Sequence, residues 1–86
     1  MTRDEIIIAL NDSLEDIFDV SGDSAKSEML KKGDFLFEDF ADSSILLTEL
    51  CLQMEEKLDV EMELTDLNDA GSYQKFIDFL CREAGA

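Results

Sequence analysis

Between residues 44 and 58, "SILLTELCLQMEEKL" places Leu47, Leu50, Cys51, Met54 and Leu58 at i, i+3, i+4, i+7 and i+11, the spacing of one helical face. A half-buried strand would need alternation with period two, so this stretch reads as a helix with one buried stripe. Its other side carries Glu49, Glu55 and Glu56, interleaved with Ile45, Thr48 and Leu52, whose burial nothing in the pattern provides. A single stripe cannot be buried alone, and the rest of the chain must supply surfaces that cover it.

Two further segments do so. In "DEIIIALNDSLEDIF", residues 4–18, Ile7, Leu10, Leu14, Ile17 and Phe18 recur at helical spacing, with Thr2 placed as a cap and acids in the first turn. Residues 73–82 repeat the pattern with Tyr73, Phe76, Ile77 and Leu80 inward, after the Gly71-Ser72 punctuation. A short helical turn is expected at 65–68. Residues 25–43 show no sustained period and are expected as a packed loop pinned by Leu30, Phe35, Leu36, Phe37 and Phe40. The expectation is an all-α fold, a single domain over residues 1–86, with three long helices and one short one in a small antiparallel four-helix bundle.

A chain of 86 residues has a modest core and little room for a deep, enclosed active site. It has no histidine and no tryptophan, which removes the usual general base and most nitrogen-ligated metal sites. No catalytic residue and no metal site is expected, and the protein is not expected to be an enzyme. Its two cysteines, Cys51 and Cys81, sit in apolar helical segments and read as reduced, partly buried thiols. The apolar run in "MTRDEIIIAL" is too brief and too acidic for a signal or transit peptide, and no run reaches membrane-spanning length. A cytoplasmic monomer is expected. The net charge of −15, from 22 acidic and 7 basic residues, repels nucleic acid and anionic lipid and favours proteins with basic patches.

The junction "FEDFADSSILLTEL" places Ser43 and Ser44 where the central helix begins. On position alone, a serine there can cap the helix, or it can bear a phosphate ester that gains from the free amides and positive end of the dipole. The flanking residues resemble the acyl carrier protein family, whose four-helix domain bears 4'-phosphopantetheine on the serine of an Asp-Ser-Leu motif. "EDF" (Glu38, Asp39, Phe40), "SILLTEL" from Ser44, "MEEKLD" from Met54 and "FIDFL" from Phe76 match the family pattern in order, over essentially the whole chain. Aligning Ser44 with the modified serine needs no gap on either side. Aligning Ser43, the second choice, needs an insertion that would turn the core stripe by roughly 100°. Ser43 then occupies the motif's aspartate position, with Asp42 one residue further back as a substitute charge.

The resemblance implies a carrier of acyl thioesters on Ser44 in fatty-acid, polyketide or related specialised biosynthesis. Its partners would be a phosphopantetheinyl transferase and acyl-loading and acyl-processing enzymes with basic patches. Ile45, Thr48, Glu49, Leu52, Glu55 and Glu56 would form the docking face, and Leu47, Leu50, Cys51, Met54, Met62, Ile77 and Leu80 would part to admit an acyl chain. Two other readings compete: an aminoacyl, peptidyl or D-alanyl carrier, and an unmodified acidic interaction domain. A calcium loop at Asp19, Ser21 and Asp23 fails on Ser24, where glycine is required, and on Leu30, where glutamate is required.

One outcome follows from charge alone. Added NaCl or millimolar divalent cations should raise the Tm by screening self-repulsion, and a Tm insensitive to both in thermal melts would contradict it.

Overall fold

The computed structural model describes residues 1–20, 25–41 and 43–85. They form α1 (Arg3–Phe18), α2 (Ala25–Lys32), α3 (Phe37–Phe40), α4 (Ser44–Leu58), α5 (Leu64–Ala70) and α6 (Tyr73–Ala84). The described residues hold no β-strand, only an isolated antiparallel bridge between Leu36 and Ser72. The fold is a small helical bundle whose main seams join α1 to α4 and α6, and α5 to α4 and α6.

Each long helix starts where a side chain can satisfy its free amides. Thr2 and Glu5 form a reciprocal capping box at α1: Glu5 N–H donates to Thr2 Oγ1 at 3.2 Å, and Thr2 N–H donates to Glu5 Oε1 at 2.9 Å. The second of these bonds holds the Glu5 carboxyl below its ordinary pKa. Ser72 caps α6 through the Lys75 amide. α1 and α4 both end on an aspartate in the left-handed region, Asp19 at φ 50° and Asp59 at φ 54°, a conformation aspartate tolerates better than most residues.

The core gathers Ile6, Leu10 and Leu14 of α1, Leu50 and Met54 of α4, Leu67 of α5, and Phe76, Ile77 and Leu80 of α6, all fully buried. In α1 the buried stripe begins at Ile6, while Ile7 and Ile17 are only half-buried. Phe18 therefore closes a face shifted slightly from the expected one. Ser13 is also fully buried in this seam, and its Oγ accepts from Lys57 Nζ at 2.7 Å, so α4 reaches back to satisfy a polar group on α1.

The segment expected as a packed loop is instead partly helical. α2 carries only two large apolar residues, the adjacent Met29 and Leu30, and two neighbours cannot set a period. Its composition, "AKSEMLKK", is nonetheless made largely of strong helix formers, and Gly33 at φ 62° supplies the stop. α3 is a single turn held by tertiary contacts. Phe37 N–H donates to Gly71 O at 3.0 Å and Tyr73 N–H donates to Phe35 O at 2.9 Å, clamping residues 35–37 to the α5–α6 corner. Phe35, Phe37 and Phe40 are buried as expected, with Phe35 stacked on Phe40 at 4.8 Å between centroids. Leu30 is half-buried and packs against the core, whereas Leu36 is 44% exposed and does not pin the segment as the sequence suggested.

The contrast between faces of α4 is testable. Leu50→Ala should cost about 2–5 kcal/mol in urea unfolding, as truncation of a fully buried leucine. Leu52→Ala, at a residue 58% exposed, should change stability by no more than about 0.5 kcal/mol.

Candidate functional site

The two serines at the head of α4 have different environments. Ser43 lies outside the helix in extended conformation, φ −153° and ψ 136°, and its Oγ accepts from Ile45 N–H at 3.1 Å. It is the N-cap. Ser44 is the first helical residue and is exposed, and its backbone carbonyl accepts from Thr48 Oγ1 at 3.1 Å. The first turn of α4 carries no acidic residue, in a chain that has 22 of them. An anion on Ser44 would thus meet the positive end of the helix without a carboxylate in that turn. Asp42, the expected substitute charge, lies outside the described residues.

From Ser44 the outward face of α4 descends through Ile45, Thr48, Glu49, Leu52 and Glu56, all exposed, with Ile45 77% and Leu52 58% accessible. These positions form one stripe at helical spacing, an apolar centre edged by carboxylates. Glu55 departs from the expected grouping. It is half-buried and lies around the helix, lining a shallow depression of about 480 Å³ with Glu61, Met62, Glu63 and Asp66. Position 55 stands one turn after both Cys51 and Leu52, at the edge of the outer face, where residues 61–63 and Asp66 of α5 line the same depression.

The expected acyl-lining residues Leu47, Leu50, Cys51, Met54, Met62, Ile77 and Leu80 all belong to the same buried cluster. The cleft beside the head of α4 is built from other residues. Its volume is about 420 Å³, and Leu36, Phe37, Glu38, Leu47, Leu67, Asn68 and Gly71 line it. Leu47 alone is common to both sets. Leu36 and Gly71 reach this cleft only because residues 35–37 pair with the α5–α6 corner, a contact that periodicity cannot reveal. Leu67, an apolar residue within the expected 65–68 turn, was the one signal available in the sequence.

Cys51 is buried, and its thiol donates to the Glu63 carbonyl at 3.9 Å. Burial, followed by the charges of Glu55 and Asp66, pushes this thiol up to about 11, so it remains protonated at neutral pH. Cys81 is likewise buried and unbridged. Among the described residues no group of three or more His, Cys, Asp or Glu is arranged to hold a metal ion, and no helix is long and apolar enough to cross a membrane. Ser21, Asp23 and Ser24 of the rejected calcium loop lie outside the described residues. No family model matches the chain, nor does any curated protein or solved structure compared with it.

The two serines should separate in stability. Ser43→Ala, which removes the cap bond, should cost about 1 kcal/mol in urea unfolding. Ser44→Ala, at an exposed first position, should shift stability by no more than about 0.5 kcal/mol. Equal losses in the two variants would contradict the assignment of the cap.

Proposed function

We propose that this chain is an acyl carrier domain in which Ser44 receives 4'-phosphopantetheine and the bundle presents the cargo to partner enzymes. The observation that carries the reading is the division of labour at the α4 head: Ser43 is occupied as the cap, and Ser44 is left exposed at the positive end of the helix. The sequence resemblance through "EDF", "SILLTEL", "MEEKLD" and "FIDFL" supports the same reading.

When bound, the arm supplies a terminal thiol that holds acyl groups as thioesters. The residues of this chain do the rest. A phosphodiester on Ser44 Oγ would lie beside the first-turn amides of α4, which favour an anion there. Leu47 stands one turn further along and opens onto the 420 Å³ cleft, giving an apolar wall within reach of anything tethered at Ser44. Ile45 and Leu52 supply contact area for a partner, while Glu49 and Glu56 steer a basic surface toward them. A small apolar centre with a charged rim suits repeated docking and release.

Ser43 at the motif's aspartate position favours a second reading, an unmodified acidic interaction domain that uses the same α4 face. Intact-mass measurement after coexpression with a phosphopantetheinyl transferase separates the two. Wild type and Ser43→Asp should each gain one arm, since aspartate also caps helices, and Ser44→Ala should gain none. Glu49→Lys should keep its thermal stability but load more slowly, through like-charge contact with the transferase. Absence of an arm on both wild type and Ser43→Asp would sink the carrier reading.

A further inference from the structure

A second groove, between α5 and α6, has walls of unlike charge. Its volume is about 400 Å³, within the roughly 300–1,000 Å³ range of small-molecule sites. On one wall α5 supplies Asp66, Asp69 and Ala70. On the other α6 supplies Lys75, Asp78, Phe79 and Arg82. Two of these groups are already engaged: Asp66 accepts from Glu63 N–H at 2.8 Å in the α5 cap, and Asp78 joins Arg3 of α1 at 2.9 Å. Asp69, Lys75 and Arg82 are left. All three are exposed, and among the described residues none of them forms an ion pair, although opposite charges share the groove. The acid and the two bases stand too far apart to pair directly, which leaves a gap between the walls.

Helix electrostatics disfavours two of the three. Asp69 lies in the last turn of α5, at the negative end of that helix, and Lys75 lies in the first turn of α6, at the positive end. Elsewhere the chain follows the opposite rule, with Asp4 and Glu5 opening α1 and Lys31 and Lys32 closing α2. Departures of this kind from local preference are expected at functional sites. Between Lys75 and Arg82, Phe79 is half-buried and lies parallel to Phe76 at 6.2 Å between centroids. Positions 75, 79 and 82 follow i, i+4 and i+7, so one face of α6 carries a cation, a ring and a second cation.

We propose that this groove binds a small zwitterion with an aromatic side chain, an aromatic α-amino acid, with its ammonium on Asp69, its carboxylate on Lys75 and Arg82, and its ring against Phe79 and Ala70. A free anion is opposed by the net charge of −15, and a bare cation finds this groove no better than the rest of the acidic surface. A zwitterion is neutral in that field and matches both walls at once. Its two ends make charge-assisted hydrogen bonds to groups that otherwise face the wrong helix end, and its ring adds stacking on Phe79. No residue of α4 takes part, so the inference is independent of whether Ser44 is modified.

Titration of L-phenylalanine into the full chain, followed by amide NMR, tests it. Saturable shifts should be confined to α5 and α6 and be strongest at Ala70, Lys75, Phe79 and Arg82. L-phenylalaninamide, which lacks the carboxylate, and hydrocinnamate, which lacks the ammonium, should each bind about tenfold more weakly or worse. Lys75→Gln, Arg82→Gln and Asp69→Asn alter exposed side chains, and each should weaken binding by about threefold to tenfold. Lys75→Gln and Asp69→Asn should at the same time keep or raise the Tm, because each removes a charge that its helix end disfavours. Lys32→Gln, an exposed cation outside the groove, should bind as wild type does. Absence of saturable shifts up to about 20 mM L-phenylalanine, equal binding of L-phenylalaninamide, or undiminished binding in any of the three groove variants would overturn the proposal.

Discussion

The structure depends on the burial of one face of α4. Leu47, Leu50, Met54 and Leu58 of that face are buried in the same cluster as Ile6, Leu10 and Leu14 of α1, and the outer elements pack around this seam. Apolar burial of this kind has to outweigh both chain entropy and the repulsion of a net charge of −15. The fold answers the charge by placement. Few cations are available, and Lys57 spends its ammonium on the buried Ser13 hydroxyl, while Arg3 joins Asp78 at 2.9 Å across α1 and α6. The acids stand mostly at the surface, where water screens them.

Because α4 is committed inward on one side, its other side is fixed as surface. Ile45 and Leu52 are exposed for that reason: no rotation could bury them without exposing Leu47, Leu50 and Met54. The same commitment fixes the head of the helix. Ser43 supplies the cap, so Ser44 enters the first turn with its side chain outward. A candidate attachment point and a candidate docking face thus arise from one helix, positioned by the same core contacts.

The segment before α4 follows a different logic. α2 has little apolar surface of its own and rests on the core through Met29 and Leu30, while α3 is a single turn whose position is set by its buried Phe37 and Phe40 and by the pairing of residues 35–37 with the α5–α6 corner.

The sequence by itself determined the elements whose information is local. The boundaries of α4, the caps at Thr2 and at the α4 head, and the inward faces of α4 and α6 follow from periodicity and capping chemistry, which neighbouring residues encode. α2 was legible in propensity but not in pattern, since two adjacent apolar residues define no face. Which serine caps was open on position alone, because either hydroxyl can reach a first-turn amide. The backbone chose Ser43 by leaving it in the extended conformation. Only the tertiary structure decided the partial covering of Glu55, the exposure of Leu36, and the cleft that joins Leu47 to Leu67 and Gly71. The exposure of Leu36 and the cleft depend on residues 35–37 pairing with the corner between α5 and α6, more than thirty positions away, while Glu55 is partly covered where residues 61–63 and Asp66 come alongside it; no local pattern encodes which distant backbone a segment will meet.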